Sequence, residues 1–263
     1  MIKNDLTVVV SSCDRYQDIL RPFSVCFRKF WEDCPCEVML ATETTPPDME
    51  DTVFNRIVPA GAGTSWCERL YACLEQAKTP YILLVLDDFF LKAPVSNQRI
   101  EALLETAKEM HAAHLRLEPL PKPQRRITGD VGEYVKGQAY RVSAQIAIWD
   151  RAYLMRMLKE IGKSELWYFE RQGSFISEKY DQISLGCYQT VMPFEEIICA
   201  ARWLPGGIKF CQKENIPIQR EIRADEPASF TMYRNLRGII FHICPTLITK
   251  IKLKMTANQT NGR

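Results

Sequence analysis

No apolar run in this sequence approaches the roughly 18 residues needed to cross a bilayer, so nothing reads as a membrane span. The opening MIKNDLTVVV lacks the basic region, long apolar stretch and small-residue cleavage site of a signal peptide. Its ten cysteines are scattered singly, with no CxxC pair and no His/Cys grouping at zinc spacing. The nearest two, Cys34 and Cys36, enclose Pro35. In a chain of 263 residues that pattern favours reduced core thiols and a cytoplasmic protein over a disulfide framework. There is no Walker A sequence, and Gly61 and Gly63 in GAGTSW do not have GxGxxG spacing, which argues against a P-loop NTPase and a Rossmann dehydrogenase. His111, His114 and His242 show no ligand spacing and read as structural or exposed. Internal repeats are missing too.

Acidic residues are absent after Glu226, where six basic ones stand: Arg234, Arg237, Lys250, Lys252, Lys254 and Arg263. Up to Glu226 there are 28 basic and 32 acidic residues, so the net +2 belongs to the tail and asks for a partner. Leu236, Ile239, Ile240, Ile243, Leu247, Ile248 and Ile251 are interspersed with those charges, with a break at Pro245. The pattern resembles a pair of interfacial amphipathic helices, and an anionic leaflet attracts each nearby Lys or Arg by about 1 kcal/mol. Peripheral contact with an anionic membrane is one reading. The other is a helix packed on the domain that displays its lysines to water. No stripe of basic and aromatic residues supports nucleic acid as the partner.

What is present is an ordinary globular composition, 46% apolar and 25% charged, in a chain long enough for one large domain or a nucleotide-binding domain with an addition. LTVVVSS (6–12), CEVMLAT (36–42), FNRIVPA (54–60) and YILLVL (81–86) read as strands. Between them, Leu20, Phe23, Phe27, Phe30 and Trp31 mark one helix face, and Trp66, Leu70, Cys73, Leu74 and Ala77 another. Ser65 and Glu68 form a capping box at the start of the second helix. A third helix starts near Ser96 or Asn97. The order β-α-β-β-α-β-α, with continuous apolar strands, implies a largely parallel sheet covered on both faces. Further along, EPLPKPQRR (118–126) reads as an exposed loop, a strand is expected near Tyr140–Ile148, and a helix near Asp150. Residues 163–176 read as irregular, and Pro205-Gly206-Gly207 as a turn.

Ligands of open parallel sheets bind beyond the strands' carboxyl ends. Asp14 and Arg15 follow the first strand, the Gly-Ala-Gly loop and the helix N-terminus at Ser65 follow the third, and Asp87-Asp88 ends the most apolar run. Two adjacent carboxylates there are costly without a cation. Mg²⁺ or Mn²⁺ bridging a diphosphate would supply one, while the plain alternative is that the pair only ends the strand and caps the next turn.

The stretch SWCERLYACLEQAKTPYILLVLDDFFL (65–91) resembles the part of GT-A glycosyltransferases where a helix leads into the strand bearing the acidic motif, and SSCDRY resembles the start of that domain. YRVSAQIAIWDRAYLMRML (140–158) and LWYFERQGS (166–174) resemble the acceptor-side half of bacterial glycosyltransferases of polysaccharide and lipopolysaccharide synthesis. The resemblance implies a GT-A-like, Rossmann-like α/β fold, with a nucleotide-sugar half (1–115), an acceptor-side half (116–227) and a basic amphipathic tail (228–263). It implies a nucleotide-sugar donor, a UDP-linked sugar in the first instance, and a glycan or lipid-linked acceptor.

By the same resemblance Asp87 and Asp88 bind ribose, diphosphate or metal, Asp14 and Arg15 lie near the base, and Ser65 and Arg69 face the diphosphate. Glu170 is the candidate general base if the transfer inverts, with Glu195 and Glu196 as a competing pair and a solvated loop residue as the plain alternative. Trp149, Trp167 and Trp203 read first as core residues, and Trp167, in the irregular stretch, is the candidate to stack on an acceptor. The usual Asp-x-Asp is broken by Phe89. Either the pair alone holds the metal, or basic side chains stabilise the leaving diphosphate without one. The competing functions are a nucleotidyltransferase making a sugar nucleotide and a non-catalytic α/β binding protein.

Overall fold

A computed structural model describes residues 2–243 apart from 48 and 139, with side chains up to 236 except that of 235. The tail from 244 onward, where the second half of the amphipathic pattern falls, lies outside the described residues.

The first 91 residues build the four strands the apolar runs predict, β1 (Leu6–Ser11), β2 (Val38–Thr42), β3 (Arg56–Pro59) and β4 (Tyr81–Leu86), with α1 (Leu20–Trp31) and α2 (Trp66–Gln76) between them. A short β5 (Phe89–Leu91), which the runs do not predict, comes next. Then follow α3 (Asn97–Glu109), β6 (His114–Arg116), β7 (Arg125–Thr128), β8 (Val131–Glu133), β9 (Ala147–Asp150), α4 (Arg151–Ile161), α5 (Leu166–Ile176) and β10 (Ser184–Cys187). The chain continues through β11 (Phe194–Glu196), β12 (Ile198–Cys199), β13 (Arg202–Trp203), α6 (Pro205–Glu214) and α7 (Ala228–Ile243).

One nine-stranded sheet in the order β3-β2-β1-β4-β9-β6-β10-β8-β7 joins both halves of the chain. Strands β3, β2, β1 and β4 are mutually parallel, β9 runs antiparallel between β4 and β6, and β10 is parallel to β6. This is the mostly parallel, helix-flanked, Rossmann-like sheet expected of a nucleotide-binding α/β fold.

Strand alternation divides the core between the two faces. Val8, Val10, Leu40, Leu83 and Val85 pack on one side with Phe23, Phe27 and Trp31 of α1 and Leu103 of α3. Val9, Met39, Ala41, Ile82 and Leu84 pack on the other with Leu70 and Leu74 of α2 and Leu154 of α4. Full burial of each such side chain contributes about 1.5–3 kcal/mol, so the sheet centre is the most strongly determined part of the molecule. Trp149 and Trp203 are core residues, and the nine described cysteines are all free.

Four local expectations are corrected. The irregular stretch expected over 163–176 is largely helix α5, whose Phe169 and Gly173 are buried. Packing overrides the weak propensity of Trp-Tyr-Phe and glycine: a Cβ at Gly173 would stand 2.7 Å from Val142 Cγ1. Pro205-Gly206-Gly207 opens α6 instead of forming a turn, with the proline in the first helical turn, where its missing N–H costs nothing. Of the strand expected near Tyr140–Ile148, only its end is extended, as β9; Tyr140 has a positive φ of 56°. The segment at 118–126 also ends in a strand, β7, at the sheet edge.

Candidate functional site

The carboxyl ends of β1 and β4 open into a cleft of about 1390 Å³. One wall comprises Ser11, Ser12, Arg15, Arg69, Asp87 and Asp88; another contains Ser143, Gln145, Leu166, Trp167 and Glu170. The two walls come from the two halves of the sequence.

Asp87 follows β4 directly, and its amide donates to the Ser11 carbonyl of β1 at 3.2 Å, so the register of two central strands sets its position. Only 3% of Asp87 is exposed, and its Oδ2 is buried without a hydrogen-bond partner. Oδ1 of Asp88 is in the same condition. Burial pushes the Asp87 carboxyl up to about 7, while a hydrogen bond with Ser12 and the charge of Arg223 pull it down. Asp88 is raised well above the usual carboxylate range, first by burial, then by Asp87 and Glu196. Two desolvated carboxylates with open acceptor atoms form a site that gains by receiving a cation.

Among the described residues no group of three His, Cys, Asp or Glu side chains is placed to hold a metal ion. Mg²⁺ needs fewer protein ligands than that when substrate phosphates and water complete the shell. The two orphaned carboxylate oxygens therefore fit a divalent ion bridging a diphosphate, and do not fit an all-protein cage.

Arg69 is buried in α2 and ties the site together. Its Nε donates to the Ser12 carbonyl at 3.1 Å, its guanidinium also donates to the Thr64 carbonyl, and it lies 3.5 Å from Glu43. The capping box of Ser65 and Glu68 fixes the start of α2. Gly61 and Gly63, with φ of 116° and 73°, allow the preceding turn. Ser65 itself is consumed in that cap and does not line the cleft.

Asp14 is likewise absent from the walls, because its carboxylate accepts from the Thr44 amide and hydroxyl and from Gln17. Arg15 is exposed and lines the cleft. The structure thus brings Arg15, Arg69, Asp87, Asp88, Glu170 and Trp167 to one cavity, and leaves Asp14 and Ser65 as supports behind it.

Glu170, on α5, is held by the Ser143 hydroxyl at 2.8 Å and the Ala144 amide at 3.0 Å. Its competitor Glu195 is bound to Lys92 at 2.9 Å, while Glu196 faces the cleft near Asp88. Trp167 is 59% exposed.

Sequence reading missed Arg223. From a segment beyond α6 it reaches back to bind both oxygens of Asp18 and the carbonyl of Arg15, and it lies over the rings of Tyr16 and Trp203 at 4.8 and 5.9 Å. It is the cation whose field acts on Asp87. The separation of about two hundred residues from its partners left no local signal. Also unforeseen was the hairpin between β12 and β13. Ala200 and Ala201 there have φ of 49° and 62°, a conformation that normally calls for Asn or Gly. The Ala201 amide donates to the Tyr16 hydroxyl at 3.1 Å, which pins that strained turn to the cleft.

No protein-family model matches the sequence, and no curated protein matches it. Among solved structures, UDP-glucose pyrophosphorylase complexed with UDP-glucose superposes with a TM-score of 0.52 at 8% identity, over 80% of this chain and 98% of that one. S. aureus TarS 1-349 in complex with UDP-GlcNAc gives 0.45 at 14%, over 72% and 57%. A CMP:2-keto-3-deoxy-manno-octonic acid synthetase complexed with CTP gives 0.44 at 11%, over 72% and 91%. The chain spans less than two thirds of TarS 1-349. At these identities the likeness is one of fold.

Proposed function

We propose that this protein is a glycosyltransferase that moves a sugar, in the first instance from a UDP-linked donor, to a glycan or lipid-linked acceptor of cell-surface polysaccharide. The observation that carries the reading is the pair Asp87-Asp88, with unpartnered buried oxygens at the carboxyl end of the central strand, facing Glu170 across a cleft large enough for two substrates.

In this reading Arg15 and the turn at Cys13–Tyr16 receive the base, and Arg69 and the Asp pair receive the ribose and diphosphate. Asp87 and Asp88 would hold Mg²⁺ or Mn²⁺, which when bound would neutralise the diphosphate. Transfer breaks the bond between the anomeric carbon and the diphosphate oxygen, and the electron pair leaves with the nucleoside diphosphate. In an inverting transfer the acceptor oxygen attacks that carbon from the opposite side and its proton passes to Glu170. The Ser143 hydroxyl and Ala144 amide donate to Glu170, fix its orientation and leave its other oxygen for the acceptor. Trp167, exposed at the mouth, offers an apolar face to an acceptor sugar ring. The protein would work in the cytoplasm, at the membrane's inner face when the acceptor is lipid-linked. Among the described residues no helix is long and apolar enough to cross a membrane.

The fold likeness to UDP-glucose pyrophosphorylase favours a second reading, a sugar-nucleotide nucleotidyltransferase. The turn after β1, SSCDRYQD, opposes it, because it lacks the Gly-rich, basic signature such enzymes carry near the N-terminus. Product analysis separates the two. Incubation with UDP-sugars and acceptor oligosaccharides should release UDP. Release of pyrophosphate from UTP and a sugar 1-phosphate would establish the second reading instead. Neither product from folded protein would reject both and leave a non-catalytic binding protein.

A further inference from the structure

Helix α7 is amphipathic in the wrong sense for packing on its own domain. Its polar side faces the protein: the Thr231 hydroxyl donates to Glu226 at 2.6 Å, and Arg234 donates to both oxygens of the same carboxylate at 3.2 and 3.3 Å and lines the cleft. Its large apolar side chains point outward. Phe230, Met232, Tyr233 and Leu236 are 65, 73, 63 and 56% exposed. Met232, Tyr233 and Leu236 are related by three- and four-residue steps and so share one face. Four such residues near the start of the 16-residue α7 form an apolar strip, unlike the single exposed hydrophobics scattered over any surface. The sequence continues the spacing with Ile239, Ile240 and Ile243, and it carries Arg237, Lys250, Lys252, Lys254 and Arg263 with no acid after Glu226.

We propose that the exposed face of α7 docks the protein on an anionic lipid surface. The charge selects this occupant. In sequence the apolar strip is followed only by cations, which matches the boundary between acyl chains and anionic headgroups, whereas a second copy of this chain would bring the same excess of positive charge to the contact. Aromatic residues at 230 and 233 suit the interfacial layer, where one end of the ring is apolar and the other wet. Because Arg234 on the opposite side of the helix lines the cleft, docking through α7 brings the cleft to the bilayer. The docking itself stands apart from the transfer chemistry. Only its use, presenting a lipid-linked acceptor, rests on the reading above.

The test is co-sedimentation of the full chain with phosphatidylcholine vesicles and with vesicles that also contain phosphatidylglycerol. The protein should bind the anionic vesicles, bind the neutral ones at least about tenfold more weakly, and lose binding at high salt. A triple variant, Met232→Ser, Tyr233→Ser and Leu236→Ser, should reduce anionic binding by at least about tenfold at an unchanged melting temperature, since these side chains contact solvent. Failure of wild-type protein to bind anionic vesicles would overturn the proposal. So would a wild-type dimer that the triple variant converts to monomer, which would identify a second copy as the occupant. Measuring nucleotide-induced stabilisation in the same samples keeps the two readings apart, because a protein that binds nucleotide but not vesicles rejects the docking alone.

Discussion

The two walls of the cleft are built on opposite principles. At the end of β4, Asp87 is buried and Asp88 half-buried, each with one orphaned oxygen and a carboxyl raised by desolvation. Across the cavity one oxygen of Glu170 has its hydrogen bonds made, by a hydroxyl and an amide 27 and 26 residues earlier in the chain. The first wall holds two orphaned carboxylate oxygens that a cation would satisfy; in the second, two donors fix the carboxylate's orientation. Proteins tolerate strain of the first kind where a ligand relieves it, and hold groups in the second way where a proton must move at a fixed place.

If that contrast is correct, the two walls fail differently when altered. Glu170→Gln should lower turnover about 10²- to 10⁴-fold and leave nucleotide-induced stabilisation in place; equal loss of both would put Glu170 on the donor side. Arg223→Gln strips the cation from Asp18 and from the field on Asp87. It should cost about 3 kcal/mol, the scale for breaking a buried ion pair, seen as a lower denaturant midpoint. An unchanged midpoint would show that Arg223 does not brace the wall.

The Asp wall should also reveal itself through pH. An unfolded aspartate titrates near 4, whereas Asp87 in the fold titrates near 7. The folded state therefore binds more protons in that window, and stability from this group falls as pH rises from about 4 to about 7 and then levels off. Asp87→Asn should remove that group's share of the dependence and raise the melting temperature at pH 8 by several degrees. A variant that melts lower at pH 8 would contradict the view of a destabilising wall. The smallest effect belongs to the cleft mouth. Trp167→Ala should change stability by under about 0.5 kcal/mol and raise the acceptor KM severalfold without touching the donor KM. A change in donor KM would relocate Trp167.

The difference between the walls also governs what the sequence discloses. Continuous runs such as YILLVL, the capping box at Ser65 and the Asp pair are local signals, and β1 to β4 with α1 and α2 follow from them at nearly the right residues. The second wall depends on contacts distant in sequence. Helix α5 exists because Phe169 and Gly173 find a place against Trp66 and Val142, not because its residues favour a helix. Arg223 could not be read at all, because its partner Asp18 lies 205 residues away. Asp14 and Ser65 were visible as polar residues at the proper edge, but that Thr44 and Glu68 engage their side chains behind the cleft walls shows only in the fold.

The central claim is that the Asp87-Asp88 wall is a nucleotide site completed by a cation. Its most direct test is thermal unfolding of wild-type protein and Asp88→Asn with UDP, GDP or CMP, each with and without Mn²⁺. A nucleotide at a hundred times its dissociation constant should stabilise the wild type by about 2.7 kcal/mol, more with Mn²⁺ than without, and the variant should lose the shift. No shift with any nucleotide in folded wild-type protein, or an equal shift in the variant, would contradict the account.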